Sequence, residues 1–294
     1  MRRTNRLIDR ADPKRLWGSV VRQLREGNMG YLLLGATLTA IYILPFYWLL
    51  KITLTWPQSK LFGENPSLLL TDPKLFNFVR VFAESNFIQM FINSVIITAL
   101  AMGGVLVFNS LAGYALTLDF PGRRLVLMFY VGVLFIPIYV TILPGFLIVR
   151  ELGLLNTHVS VALPLMTTVI GTFLFKNSFE AIPDAVTESA RLDGASELYI
   201  VFGVLWPSSK AAVATNIILT YLQAWNNFIW PLVMLSDRSM NPLPLGLANF
   251  TSNYSGYPAL GYAFALITVA PVLVSFFLLQ KYFISGVVRG TVKQ

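Results

Sequence analysis

Few residues in this sequence have side chains suited to covalent chemistry. The 294 residues include no cysteine and a single histidine, His158. There is therefore no thiolate metal site, and no Ser/His/Asp arrangement for nucleophilic catalysis. The chain also lacks the G-x-x-x-x-G-K-[ST] loop that cradles nucleotide phosphates. We expect no catalytic residue, no metal site and no cofactor on this chain, which is not itself an enzyme, and we expect His158 to be a surface residue in an outer turn.

A stripe of uncharged polar residues is suited instead to contact with a neutral, hydroxyl-rich solute. The stripe consists of Asn216, Thr220, Gln223, Asn227 and Trp230. On an α-helix the first four lie within about 60° of one another, and the tryptophan extends the same face. Amides in hydrocarbon are costly unless they are paired or face water. The stripe is therefore either a substrate path or polar helix–helix packing, and the residue types leave both interpretations open. Ser94, Thr98, Ala101, Asn109 and Ala112 form a comparable stripe.

A second group of residues has the pattern of a folded hairpin that could bind a partner protein. Ile182-Pro183-Asp184 is typical of a helix start, with proline in the first turn and an acid near the positive end of the helix dipole. The following residues favour a helix, and Gly194 offers a natural stop. A second short helix is predicted from about Ser196 to just before Pro207.

The composition indicates which kind of protein must position these residues. Hydrophobic residues make up 55% of the chain and charged residues 12%, whereas soluble domains average about 25% charged. This excludes a soluble globular protein, a disordered chain and an ordinary nucleic-acid-binding domain, although the formal charge is +8. The predicted fold class is an all-α membrane protein.

Charge-free runs predict six transmembrane helices, because about 20 apolar residues cross the hydrocarbon core. The spans are expected at about 29–50, 88–115, 125–148, 159–176, 211–235 and 261–281. They form a six-helix domain, 29–283, between a basic N-terminal segment, 1–28, and a C-terminal tail, 284–294. Loop 177–210 joins spans 4 and 5. The run from Ser239 to Pro258 is interpreted as an outer loop, and prolines 137, 144, 164 and 271 predict kinks.

The distribution of basic residues predicts the orientation. If the N-terminus is cytoplasmic, the inside segments hold 16 of the 22 Lys and Arg residues. The positive-inside rule therefore predicts that both termini and loop 177–210 are cytoplasmic.

Loop 177–210 resembles a known signature. Glu188-Ser189-Ala190, then Gly194, then Val204-Leu205-Trp206-Pro207 are similar to the EAA loop, E-A-A-x3-G-x9-I-x-L-P, of permease subunits in bacterial ABC importers. The chain departs from it at the serine, the valine and the tryptophan, and keeps the spacing.

Further segments are similar to the maltose-type carbohydrate permeases, over roughly residues 30 to 294. These segments are Asn93-Ser94, Ala112-Gly113-Tyr114-Ala115, Phe120-Pro121-Gly122-Arg123, Leu152-Gly153-Leu154-Leu155-Asn156-Thr157, Ala224-Trp225-Asn226-Asn227-Phe228 and Ser285-Gly286-Val287-Val288-Arg289-Gly290.

The resemblance implies a multi-pass permease of the bacterial inner membrane that forms half of the pathway for a sugar, a di- or oligosaccharide. Its implied partners are a second, homologous permease in a heterodimer, an ABC ATPase dimer carrying ATP and Mg²⁺, and an extracytoplasmic solute-binding protein, with no nucleic acid. The hairpin would couple to the ATPase, Glu188 facing a basic partner. The implied coupling residues are Glu188, Ser189, Ala190, Asp193, Gly194 and Pro207.

Two alternatives remain open at the sequence level. An ion-coupled secondary transporter of a small polar solute would also contain polar spans. Proton coupling generally needs an acid or histidine inside a span, and none lies there, but sodium coupling is not excluded. The hairpin could also be a surface helix with a solvated glutamate. Which sugar is carried cannot be read from the sequence.

Overall fold

The computed structural model describes residues 29–57, 60 and 69–291, with side chains as far as Ser275. The basic segment 1–28 and the side chains of the tail 284–294 lie outside the described residues. The chain divides into two compact units, Met1–Leu75 and Phe76–Gln294. In the first unit, helix α1 spans Met29–Leu54.

The described part of the second unit is helical and contains no strand. Its α-helices are α2 (Phe76–Glu84), α3 (Phe87–Ala115), α4 (Arg123–Val133), α5 (Ile138–Glu151), α6 (His158–Ala162), α7 (Val169–Glu180), α8 (Asp184–Leu192), α9 (Glu197–Tyr199), α10 (Trp206–Ser208), α11 (Lys210–Trp225), α12 (Ile229–Met234), α13 (Leu243–Asn253) and α14 (Pro258–Thr291). A π-helical run, Ile200–Leu205, joins α9 to α10, and short 3-10 turns occupy Leu163–Leu165 and Arg238–Met240.

The predicted all-α membrane class is confirmed, and several candidate spans are bent. Helices α1, α3 and α14 are each long and apolar enough to cross a membrane, and three bent pairs raise the number of candidate spans to six. The pairs bend by 107° between α4 and α5, by 52° before α7, and by 92° before α11. The first bend lies next to Pro137 and the second just after Pro164, whereas Pro144 and Pro271 lie within helices.

Helix α3 is the central element of the second unit. Its 29 residues reach about 43 Å at 1.5 Å per residue, and it packs most extensively against α7 and α11. Phe87 at its start, Ile97 in its middle and Tyr114 near its end belong to three different apolar clusters. The core is therefore arranged along this one helix.

A buried amide cluster joins α3, α7 and α11. The Asn109 Oδ1 atom accepts from the Thr168 backbone N–H at 3.0 Å, just before α7 begins, and the Asn109 Nδ2 atom donates to the Thr168 hydroxyl at 3.1 Å. Asn216 of α11 donates to the Ala212 and Gly171 carbonyls at 3.1 and 3.4 Å. Polar groups that would be costly in hydrocarbon thus satisfy one another.

The predicted outer loop from Ser239 to Pro258 is corrected by the structure. Its middle forms α13, and Leu243 and Phe250 are buried with Leu260 and Phe264 of α14. The Asn, Pro, Gly and Ser content that suggested a loop lies mainly at the helix ends and on its open face. Pro242 and Pro244 flank the first helical position, where a missing N–H costs nothing.

We predict that Gly171→Ala destabilises the protein through the amide cluster. A Cβ at this position would overlap the side chains of Asn109 and Asn216, and such overpacking costs about 1–3 kcal/mol. Thermal unfolding in detergent should show the loss. Gly103→Ala is the matched control, because a Cβ there meets nothing within 4 Å and alanine favours the helix. Equal unfolding temperatures for the two variants would contradict the packing role of the cluster.

Candidate functional site

The segment after α7 folds into the predicted helix–glycine–helix hairpin. Helix α8 begins at Asp184, directly after Pro183. At its end Gly194 adopts φ +83°, and the Ala195 N–H donates to the Ala190 carbonyl at 3.0 Å. This is the pattern of a Schellman C-cap, in which glycine pays no Cβ penalty for the left-handed conformation. Ser196 then caps α9 by accepting from the Tyr199 N–H.

The signature residues divide into an exposed set and an anchoring set. Glu188 and Asp193 are exposed and have no ion pair within the described part of the chain. The Ser189 hydroxyl donates back to the Ala185 carbonyl at 2.6 Å. Ala190 packs against the apolar cluster that includes Tyr114 and Phe175. Pro207 is exposed in the first turn of α10, beside the fully buried Leu205.

The hairpin also exposes apolar side chains, which the sequence analysis did not identify. Leu192, at the end of α8, is 89% exposed, and Val186, Leu198 and Tyr199 are exposed as well. Groups of exposed apolar side chains, rather than single ones, are typical of interaction surfaces, and these four lie within one short hairpin. The sequence signal was present in Leu192-Asp193-Gly194, an apolar residue immediately before the helix stop.

Three side chains tie the hairpin to α3, and we call them the hairpin knot: Tyr114, Arg191 and Glu197. The Arg191 Nε atom donates to the Glu197 Oε1 atom at 2.9 Å, and its Nη2 atom donates to the Tyr114 hydroxyl oxygen at 2.7 Å. The Tyr114 hydroxyl in turn donates to the Glu197 carboxylate. Hydrogen bonding to Glu197 raises the pKa of Arg191, so its charge is permanent. The knot links α8 to α9 on either side of Gly194, and it joins both helices to the end of α3.

A second set of ion pairs fastens the start of the hairpin. Arg123 donates to Asp119 and to Glu180, each at 3.1 Å, and its Nε atom donates to the Leu116 carbonyl at 2.9 Å. Lys176 donates to Glu180 at 2.6 Å. The end of α7 is thereby connected to the turn between α3 and α4.

The predicted substrate-path residues do not share one continuous helical face. Helix α11 ends at Trp225, so the stripe is interrupted before Asn227. Asn216 and Thr220 are buried, and Gln223 is exposed. The Asn227 Oδ1 atom accepts from the Trp230 N–H at 3.2 Å.

The contacts of Trp230 and His158 are structural ones. The Trp230 ring is buried in an apolar cluster and contacts Gly145 of α5. His158 is half-buried rather than fully on the surface, with its Nε2 atom 2.9 Å from the Asn93 Oδ1 atom.

Comparison with known proteins places this architecture in a family. The family model for the binding-protein-dependent transport system inner membrane component matches residues 109–289. The chain belongs to this family. The resemblance found in the sequence is confirmed: the protein is a permease component of a binding-protein-dependent importer, a multi-pass membrane protein from a family of transporters rather than of enzymes.

Several curated relatives are similar over most of their length. The arabinooligosaccharides transport system permease protein AraQ of Halalkalibacterium halodurans is 35% identical, covering 78% of this chain and 84% of the relative. The AraQ protein of Bacillus subtilis is 33% identical, covering 87% and 92%. The sn-glycerol-3-phosphate transport system permease protein UgpE of Pectobacterium atrosepticum is 30% identical, covering 68% and 72%.

The fold is shared with a solved transporter. A chain in the crystal structure of a bacterial ABC transporter involved in the import of the acidic polysaccharide alginate superposes with a TM-score of 0.77. That match covers 89% of this permease and 98% of the other chain at 24% identity. A structure of the alginate transporter with its pentasaccharide-bound periplasmic protein also matches, with a TM-score of 0.55.

We predict that Tyr114→Phe loosens the hairpin without unfolding it. The substitution keeps the ring in the core and removes the hydroxyl hydrogen bonds, worth about 1 kcal/mol at a half-exposed site. The population with the hairpin detached should rise about fivefold. Because the chain has no cysteine, spin labels at Leu118→Cys and Ala185→Cys report the distance cleanly, and its distribution should broaden.

Tyr221→Phe is the matched control for this experiment. The Tyr221 ring packs on Trp225, and its hydroxyl has no hydrogen-bond partner among the described residues. An unchanged distance distribution in Tyr114→Phe, or equal broadening in both variants, would contradict the role of the knot.

Proposed function

We propose that this permease imports an oligosaccharide, together with a second permease, an ATPase dimer and an external binding protein. The similarity to two arabinooligosaccharide permeases at 33–35% identity over most of both chains carries this proposal. The exposed amide of Gln223 on α11 suits a neutral sugar. The test is reconstitution of the whole complex with its binding protein and a panel of sugars, scored by stimulated ATP hydrolysis.

In this arrangement the six spans are α1, α3, α4 with α5, α6 with α7, α11 with α12, and α14, and both termini lie in the cytoplasm. The excess of Lys and Arg in segments 1–28, 118–124, 176–210 and 281–294 supports the orientation. Helix α3 would then begin near the outer surface and end at the cytoplasmic hairpin. The location is the bacterial inner membrane.

The hairpin is the coupling element in this proposal. Leu192 and its apolar neighbours would enter a groove on the ATPase, and Glu188 would face a basic residue at its edge. Ser189 and Ala190 hold α8 together and against the core, and Asp193 and Gly194 form its bend. Pro207 marks the point where the hairpin leads into α11.

A force applied to the hairpin would reach the membrane through α3 as well as through the segments of this chain that flank the hairpin. The hairpin knot connects Arg191 directly to Tyr114, and Ala190 packs on the same cluster. A movement imposed on α8 is therefore transmitted to the central helix as a rigid-body displacement.

The substrate path is proposed at the break between α11 and α12. Gln223 is exposed there, and the Asn227 Nδ2 atom has no hydrogen-bond partner among the described residues. The buried Asn216, Thr220 and Trp230 would hold the helices that border this break, rather than touch the sugar.

We predict that Gly194→Val uncouples ATP hydrolysis from the binding protein. No atom lies within 4 Å of an added Cβ, so the effect comes from the left-handed backbone, where a β-branched residue costs about 1–3 kcal/mol. Sugar-stimulated hydrolysis should fall, whereas Gly194→Asn, which tolerates this conformation, should keep it. Glu188→Ala should also lower it. Full stimulation in both Gly194→Val and Glu188→Ala would contradict the coupling role.

We predict that Gln223→Leu and Asn227→Leu together reduce sugar uptake about tenfold, the effect of losing one or two hydrogen bonds of about 1 kcal/mol each. Vesicle uptake is the measurement, and co-purification of the partners shows intact assembly. Asn227→Ser separates two roles, because serine keeps an oxygen that can cap α12 and removes the amide donor. Normal uptake in Asn227→Ser would mean that Asn227 only caps the helix.

A further inference from the structure

An open cleft with a mixed polar and apolar lining lies at the end of α3 opposite to the hairpin. It is about 450 Å³ in volume and is enclosed by the turn between α2 and α3 on one side and by α13 on the other. The lining residues that carry polar groups include Glu84, Asn86, Arg238, Asn249, Asn253 and Tyr254. Asn249 and Asn253 are four residues apart, so α13 presents both to the same side.

Three buried asparagines have occupied amides: Asn93 donates to the Ser239 and Asn241 carbonyls at 2.7 and 3.0 Å, and Asn109 and Asn216 bond within the amide cluster. The cleft amides differ. The side chains of Asn86, Asn249 and Asn253 make no hydrogen bond with any residue in the described part of the chain, and Asn86 stands at the N-cap position of α3 without capping it.

The residues that line the cleft beside these amides are held by an ion pair and by ring packing. Arg80 donates two hydrogen bonds to Glu84, at 2.6 and 3.0 Å, and this pairing lowers the pKa of Glu84, assisted by the Tyr254 hydroxyl. The Tyr254 ring lies against Phe250, with centroids 4.6 Å apart. The carboxylate charge is thus compensated, and the cleft presents amides, an aromatic ring and the Arg238 guanidinium.

We propose that this cleft is an oligosaccharide-binding subsite of the permease, separate from the break between α11 and α12. Each free amide offers both a donor and an acceptor, which matches neighbouring sugar hydroxyls, and the ring of Tyr254 offers an apolar face to a pyranose or furanose. The inference rests on the proposed function, since it gives the carried sugar a second binding site on this subunit, in addition to the proposed path between α11 and α12. Its position at the far end of α3 from the hairpin makes it a subsite that the sugar meets before the pathway.

The test uses the intact transporter in lipid nanodiscs and an arabino-oligosaccharide as the probe. Saturation-transfer NMR without the binding protein measures direct sugar contact. The concentration of sugar-loaded binding protein that gives half-maximal ATP hydrolysis measures the effect on transport. Asn249→Leu combined with Asn253→Leu should weaken direct sugar binding about fivefold to tenfold, for two hydrogen bonds of ordinary strength.

Ser252→Leu is the matched control, because Ser252 is exposed on the same helix and lines neither of the cavities that flank α13. It should leave saturation transfer unchanged. Equal saturation transfer in the double variant and the wild type would overturn the subsite. Weaker docking of the sugar-free binding protein, with saturation transfer unchanged, would also overturn it and identify a protein contact instead. A wild-type complex whose ATP hydrolysis no sugar stimulates would instead refute the proposed function.

Discussion

A helix that breaks inside a membrane must find hydrogen-bond partners for the backbone groups it releases, because hydrocarbon supplies none. The rest of this structure depends on how that requirement is met. Three of the candidate spans are bent pairs, and the unbroken helix α3 packs against α7 and α11 of two of them. Asn109 of α3 accepts from the Thr168 N–H at the break before α7. Ser94 of α3 accepts from the Leu243 N–H at 2.8 Å where α13 begins. Polar residues of α3 therefore supply hydrogen-bond partners at the break before α7 and at the start of α13.

This role gives α3 a mechanical consequence. A shift of α3 would disturb the hydrogen bonds that it makes at the break before α7 and at the start of α13, so these segments are coupled to it. At one end it carries Tyr114 of the hairpin knot, and at the other it carries Asn93, which holds two carbonyls of the segment before α13. The proposed coupling surface and the proposed sugar cleft are thus connected by a single rigid element.

The sequence predicted the parts of this arrangement that follow from local rules. Charge-free runs located the candidate spans, and the helix start at Asp184 and the turn at Gly194 followed from capping chemistry. Pro137 and Pro164 located two of the three bends, but the charge-free runs did not, because such a run has the same composition whether the helix is straight or bent. The sequence also left the role of Asn216 open, since a substrate path and a packed helix–helix interface use the same residue types. Helix α13 was missed because proline and glycine near its ends resembled a loop.

The departure of the signature at Trp206 can be understood from the geometry around Pro207. Proline cannot donate a hydrogen bond to the preceding turn, so a regular helix through this position would lose a bond. The chain widens into a π-helical run over Ile200–Leu205 just before the proline, and the Ser208 hydroxyl donates to the Val204 carbonyl at 2.8 Å. π-Helical turns of this kind are frequent at functional sites. Within this run Leu205 is buried, while the Trp206 ring meets Phe202 edge to face at 4.9 Å. A tryptophan fits here because its partly buried ring packs against the apolar cluster that contains Leu205.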